Sequence, residues 1–289
     1  MRILKAAHLG MCFGVRDALT LAHETAAEGP LTVLGDLVHN ETVLRDLRQR
    51  GVRIEPQLSD VQTSTVMITA HGTSDRQRAA IAGRGHRVIE ATCPLVRFAH
   101  ERVLALVRAG YHPVIIGQRD HVEVRGLTGD LDAHDVLLEE EDIDRLEPRP
   151  RFGVASQTTQ PIQRVRSLVE RLRSRFPNSE IRFVDTVCQP TKQRQDAAEE
   201  LSRQCDVVVV VGGTHSNNTR QLAETCARHG ARVHRVQTVA ELRTEWFLGV
   251  VTVGLTAGTS TPDVVIDAIE TWLQRLAAVV VIPATEVVS

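Results

Sequence analysis

Aromatic residues make up only 3% of this 289-residue chain, and one tyrosine and two tryptophans leave little for bases to stack on. Basic and acidic side chains nearly cancel, 34 against 36, so a broad cationic surface is lacking too. These shortages argue against nucleic acid as a partner. Long apolar runs are also missing: those present, such as 207–211, fall far short of a membrane span, and Arg2 and Lys5 lead into no signal-like apolar stretch. The expectation is a soluble cytoplasmic protein that does not engage a membrane. Five cysteines, widely spread and without a CxxC pair, do not suit a disulfide framework. Neither a Walker-type phosphate loop nor a GxGxxG fingerprint occurs, and Gly212-Gly213 after a valine run is too weak to indicate a nucleotide.

What the chain does have is a repeat. Cys12, Cys93 and Cys188 each follow an apolar run and precede a helical pattern. Gly35 lies 23 residues after Cys12, while Gly117 and Gly212 each lie 24 residues after Cys93 and Cys188. A thiol therefore recurs at the same joint of three copies.

Periodicity predicts strands at 2–7, 31–34, 52–54, 65–69, 87–90, 113–116, 152–155, 180–184 and 206–211, and another within 247–253. Helices are expected at 15–27, 41–50, 75–82, 94–108, from Pro161, and at 191–203, 220–228 and 262–276, with a short surface helix and turn in 139–150. Polar loops follow the strands at 35–40, 70–73, 117–123, 156–159, 212–218 and 254–260. Buried valine-rich strands alternating with helices indicate parallel α/β sheets. Three units are expected, at 13–92, 93–187 and 188–276, with 277–289 as a tail. The third copy lacks a closing strand, and residues 1–12 are expected to supply it. Packing about a pseudo-threefold axis would bring the three thiols to the centre, ringed by the polar loops.

Three converging thiolates suit an iron–sulfur cluster, or a zinc ion that could not do redox chemistry. Held by three cysteines, a four-iron cluster would keep one iron open to substrate. Buried structural thiols are the plainer alternative, and for Cys205 and Cys226, which lie off the repeated joint, burial is the expectation. Strand-end loops carry His39 with His71, His121 with Thr158, and Ser216-Asn217-Asn218 with Ser260. Imidazoles, hydroxyls, amides and helix N-termini suit a phosphate or diphosphate without an arginine cluster. Glu123 is the carboxylate nearest in sequence to such a loop; it could relay protons or be simply solvated.

These residues resemble the LytB/IspH family of 4-hydroxy-3-methylbut-2-enyl diphosphate reductases. The likeness spans nearly the whole chain and rests on Gly-Met-Cys-Phe-Gly-Val around Cys12, Val38-His39-Asn40, Ala70-His71-Gly72, Ala91-Thr92-Cys93-Pro94, His121-Val122-Glu123-Val124, Ser156-Gln157-Thr158-Thr159, Asp185-Thr186-Val187-Cys188 with Arg194-Gln195, and the segment 256–262. The resemblance implies that Cys12, Cys93 and Cys188 hold a [4Fe-4S] cluster, expected as [3Fe-4S] or lost after aerobic handling, and that the substrate hydroxyl meets the open iron. It further implies diphosphate binding by His39, His71, Ser216, Asn217, Asn218 and Ser260 with His121 beside them, proton donation by Glu123, and a relay through Thr158. Ferredoxin or flavodoxin would bring the electrons, and isopentenyl and dimethylallyl diphosphate would be the products. Asp120, Val122, His215, Asn217 and Arg16-Asp17 depart from the family pattern. A paralogue acting on another allylic diphosphate, or a non-catalytic iron–sulfur or phosphate-ligand sensor, is the alternative.

Overall fold

The computed structural model describes residues 1–280. The chain opens with β1 (Arg2–Lys5) and runs through α1 (Phe13–Glu28), β2 (Leu31–Leu34), α2 (Glu41–Gln49), β3 (Arg53–Glu55), β4 (Thr65–Ile68), α3 (Asp75–Gly83) and β5 (Arg87–Glu90). A second round follows: α4 (Pro94–Arg108), β6 (His112–Ile116), α5 (Val122–Thr128), β7 (Asp135–Leu137), α6 (Glu140–Asp144), β8 (Arg151–Ser156), α7 (Ile162–Arg175) and β9 (Glu180–Phe183). The third comprises α8 (Gln189–Ser202), β10 (Val207–Val211), α9 (Asn217–Arg228), β11 (Arg232–Val236), β12 (Thr252–Ala257) and α10 (Asp263–Val280).

The strands form three four-stranded sheets, ordered β3-β2-β4-β5, β7-β6-β8-β9 and β11-β10-β12-β1, and all their pairings are parallel. The α/β class read from the sequence is therefore observed. In the first two sheets the closing strand comes from the same copy. In the third, β1 takes that place, pairing Arg2 to Thr252 and Lys5 to Leu255, as the missing closing strand required.

Residue proximity divides the described residues into two compact units: Met1–Cys12 with those from Gln193 onward, and Phe13–Lys192. In the first, all five valines of β10 are buried. Strand alternation sends Val207, Val209 and Val211 toward Ile266, Ile269 and Leu273 of α10, while Val208 and Val210 meet Ala198 and Leu201 of α8 and Leu222 of α9. Each such side chain contributes about 1.5–3 kcal/mol on burial, which makes this strand the anchor of its sheet. In the second unit, Ile115 and Ala155 pack with Ala99 and Val103 of α4, and Val114, Ile116 and Val154 pack with Val165 and Leu168 of α7.

Several boundaries differ from expectation. Residues 122–123, assigned to a loop, start α5, and Asn217 and Asn218, also assigned to a loop, start α9. The late strand is Thr252–Ala257 rather than a stretch within 247–253, so 254–257 belong to it and not to a loop. Strands β7 and β11 were not expected. α10 takes in 277–280 of the expected tail, and 281–289 lie outside the described residues.

Candidate active site

The three repeated cysteines share one backbone contact. The N–H of Cys93 donates to the Ala70 carbonyl, that of Cys188 to Thr158, and that of Cys12 to Thr259, each at 3.0 Å. In every copy the acceptor lies two residues beyond its strand, after β4, β8 and β12 respectively. Here the repeat noticed as spacing becomes a repeated hydrogen bond. It ties each thiol-bearing joint to the loop that carries His71, Thr158 or Ser260.

None of the five cysteines, all among the described residues, is in a disulfide. Cys12, Cys93 and Cys188 are partly exposed, whereas Cys205 and Cys226 are buried among Ala198, Leu201 and Leu222. Burial, with a smaller contribution from Cys205, pushes the Cys226 thiol up to about 12, and burial followed by Asp206 raises Cys205. Both stay protonated and serve packing, as expected, because only a thiolate ligates or attacks well. At the repeated joints the surroundings differ. The Cys93 sulfur occupies the space that a Cβ on Gly14 would fill, and Cys188 Sγ lies 3.1 Å from Thr191 Oγ1. Accessible sulfur beside a cleared backbone suits a soft-metal cluster.

In the unit Phe13–Lys192, His39, His71 and His121 come together. Ring centroids are 4.4 Å apart for His39 and His71, 5.1 Å for His39 and His121, and 5.5 Å for His71 and His121. Their ligating nitrogens lie within 4.8 Å of one another. Burial, then His39 and Arg125, lowers His121 to about 3. Burial, His39 and His121 hold His71 well below its ordinary value, against a hydrogen bond to the Asp36 backbone. Both rings are neutral at pH 7, and the buried Nδ1 of His71 has no partner among the described residues. A neutral imidazole can donate one N–H to an anion, and an arriving negative charge favours protonation.

His121 also shapes the next element: as the N-cap of α5, its Nδ1 accepts from the Glu123 N–H at 3.1 Å. This cap turns Glu123 inward, to 1% exposure. The Glu123 carboxyl accepts from the Thr158 N–H at 2.6 Å and from Thr158 Oγ1 at 3.0 Å. Burial raises its pKa to about 7, although both hydrogen bonds from Thr158 oppose the shift. The solvated alternative is thereby excluded. A carboxyl half-protonated near neutrality is poised to give up a proton.

In the other unit, Ser216 caps α9 by accepting from the Thr219 N–H, and Ser216, Asn217, Asn218 and Ser260 are all buried. Asn218 Oδ1 accepts from the Thr259 N–H at 3.0 Å, which leaves its buried Nδ2 without a partner among the described residues. Asn217 Oδ1 accepts instead from Arg220 at 2.8 Å. Thr219 escaped the sequence reading: its buried hydroxyl sits where a Cβ on Gly212 or Gly258 would collide with it. A threonine in a helix pattern gave no signal of this. Buried Arg194 donates from Nε and Nη2 to the Gly10 carbonyl at 3.0 and 2.8 Å, bracing the turn that leads to Cys12.

A thiol joint repeated three times, a histidine cluster and a buried carboxyl on parallel α/β sheets are the features of an α/β enzyme site. A profile of the LytB protein family matches residues 3–274. The 4-hydroxy-3-methylbut-2-enyl diphosphate reductase of Pelobacter propionicus is 38% identical over 271 residues, covering 93% of this chain and 96% of that one. The enzyme of the same name from Geobacter metallireducens is 36% identical, covering 93% and 95%. Among solved structures, the E-1-hydroxy-2-methyl-but-2-enyl-4-diphosphate reductase from Plasmodium falciparum superposes with a TM-score of 0.88 at 26% identity, covering 98% of this chain and 89% of its own. Another (E)-4-hydroxy-3-methyl-but-2-enyl diphosphate reductase structure, described as the terminal enzyme of the non-mevalonate pathway, gives 0.66 at 33% identity, covering 95% and 100%. The chain belongs to the LytB family, whose members are iron–sulfur enzymes.

Proposed function

We propose that this chain is an oxidoreductase of the non-mevalonate isoprenoid pathway that removes the hydroxyl of (E)-4-hydroxy-3-methylbut-2-enyl diphosphate, with Glu123 as proton donor. Substrate, two electrons and two protons give one water and either isopentenyl or dimethylallyl diphosphate. The observation that carries this reading is the Glu123–Thr158 pair, a buried carboxyl near its half-protonation point whose partner accepts the Cys188 N–H. Family membership and the reductase relatives support it over a sensor, which has no use for a buried proton donor.

Cys12, Cys93 and Cys188 would hold a [4Fe-4S] cluster. When bound, the cluster supplies electrons singly and polarises the hydroxyl. Glu123 gives its proton to the departing oxygen so that it leaves as water, and Thr158 Oγ1 holds the carboxyl in position. A second proton ends on the allylic carbon. His39, His71 and His121 are assigned to the diphosphate, as are Ser216, Asn217, Asn218 and Ser260. Of these, Asn218 brings an uncommitted amide N–H, while the Asn217 carbonyl is already engaged by Arg220. A ferredoxin or flavodoxin would be the electron donor. Among the described residues no helix is long and apolar enough to cross a membrane.

The test is anaerobic purification with iron and sulfide analysis, followed by turnover with reduced viologen and the hydroxylated diphosphate. A brown protein that forms both products supports the reading. A colourless, iron-free protein overturns it, and a brown but inactive one favours the sensor.

A further inference from the structure

A proton donor as buried as Glu123 must be recharged after each turnover, and both its oxygens face Thr158. Beside it lies a cavity of about 20 Å³ lined by His71, Thr92, Arg97, His100, Glu123 and Gly126. That volume suits a single water. Its lining joins the fully buried Glu123 to half-buried His100 and exposed Arg97. His100 Nε2 stands 3.1 Å from the Asp130 carboxylate. Asp130 is itself fixed, accepting from the Asp75 and Arg76 N–H groups at 2.7 and 2.9 Å at the start of α3. Burial raises the Asp130 pKa, but these two bonds and His100 outweigh it and hold the carboxyl below its ordinary value.

We infer that this cavity is the route by which Glu123 is reprotonated from solvent, with His100 as its relay. The inference rests on the proposed role of Glu123. In the relay step the His100 imidazolium breaks an N–H bond to a cavity water, and that water passes a proton to the Glu123 carboxylate. Neutral His100 then takes a proton from solvent, and Asp130 keeps its ring oriented throughout. The other charged or titratable groups facing the cavity are Arg97 on α4, Arg78 on α3 and His71 beyond β4; Glu90 on β5 is occupied by Arg78 at 3.0 Å.

Two variants of the holoenzyme test it. His100→Asn removes the relay but keeps a polar side chain. Gly126→Ala narrows the cavity, since its methyl would meet Thr73 and Gly72 at 3.4–3.6 Å, an ordinary contact. For His100→Asn we expect kcat to fall roughly tenfold at unchanged KM, with a larger solvent deuterium isotope effect and partial rescue by added imidazole. Infrared spectroscopy of the resting enzyme should show slower hydrogen–deuterium exchange of the Glu123 carboxyl in both variants. Wild-type exchange rates in both variants would overturn the route, and a kcat loss that imidazole does not rescue would assign His100 a structural role and overturn the relay. If wild type itself has no turnover, the reductase reading fails, while the exchange measurement still decides the route.

Discussion

Glu123 and Thr158 are joined twice, the threonine giving both its backbone N–H and its hydroxyl to one buried carboxyl. Both bonds favour the ionised form, yet burial outweighs them. Thr158→Val removes one of them and keeps the shape. The Glu123 pKa should rise further, and turnover should fall by roughly tenfold or more as the carboxyl loses its fixed orientation. A pH–rate profile displaced upward together with the lower rate would bear this out.

Proton donation by Glu123 requires its acid form, so turnover should decline as pH rises through about 7. The same shift affects stability. The folded protein binds this proton more tightly than the unfolded chain does, so stability present below pH 4.5 is lost as pH rises toward about 7, on the order of 3 kcal/mol in all. Glu123→Gln should remove that loss, and urea melts of both proteins at pH 5 and pH 8 measure it.

His71 and His121 carry the opposite sign. Their folded pKa values lie below the unfolded one, so their contribution to stability is present above about 6.5 and is lost as pH falls below it, in the case of His121 as pH falls toward about 3. Anion binding should raise both pKa values and draw in protons. Titration calorimetry with inorganic diphosphate at pH 7, in buffers of different ionisation enthalpy, should show net proton uptake that falls in His71→Asn and His121→Asn.

Gly14 clears the space taken by the Cys93 sulfur. Gly14→Ala should keep the fold, because alanine favours the helix, but displace the thiol. The expected outcome is iron content reduced by at least half, with unchanged far-ultraviolet circular dichroism. Cys226→Ser changes a thiol that stays protonated in the core and should retain iron.

The sequence was most legible where burial and punctuation agree. The bounds of β2, β5 and α4 coincide with those the pattern predicts, and the Gly29-Pro30 and Pro94 signals mark two of them. Strand β11 was missed because, as an edge strand with Arg232, His234 and Arg235 partly in solvent, it has no apolar run. β12 was read short because Gly254 looks like a breaker; in fact a side chain there would strike Leu201. α5 is seven residues long with a glycine inside, too short for a period to show. Glu123 was identified by its neighbour His121, but its burial depends on the cap that this histidine makes. Thr219 and His100 acquire meaning only from tertiary neighbours, a glycine pair for one and a cavity for the other.

The most direct measurement compares wild type with Glu123→Gln at matched iron and sulfide content, using reduced viologen and (E)-4-hydroxy-3-methylbut-2-enyl diphosphate. Glutamine keeps the shape and can still accept from Thr158, but it has no acidic proton. Cluster content should be equal, and turnover should be lower by about 10²-fold or more in the variant. Equal turnover in the two proteins would contradict proton donation by Glu123.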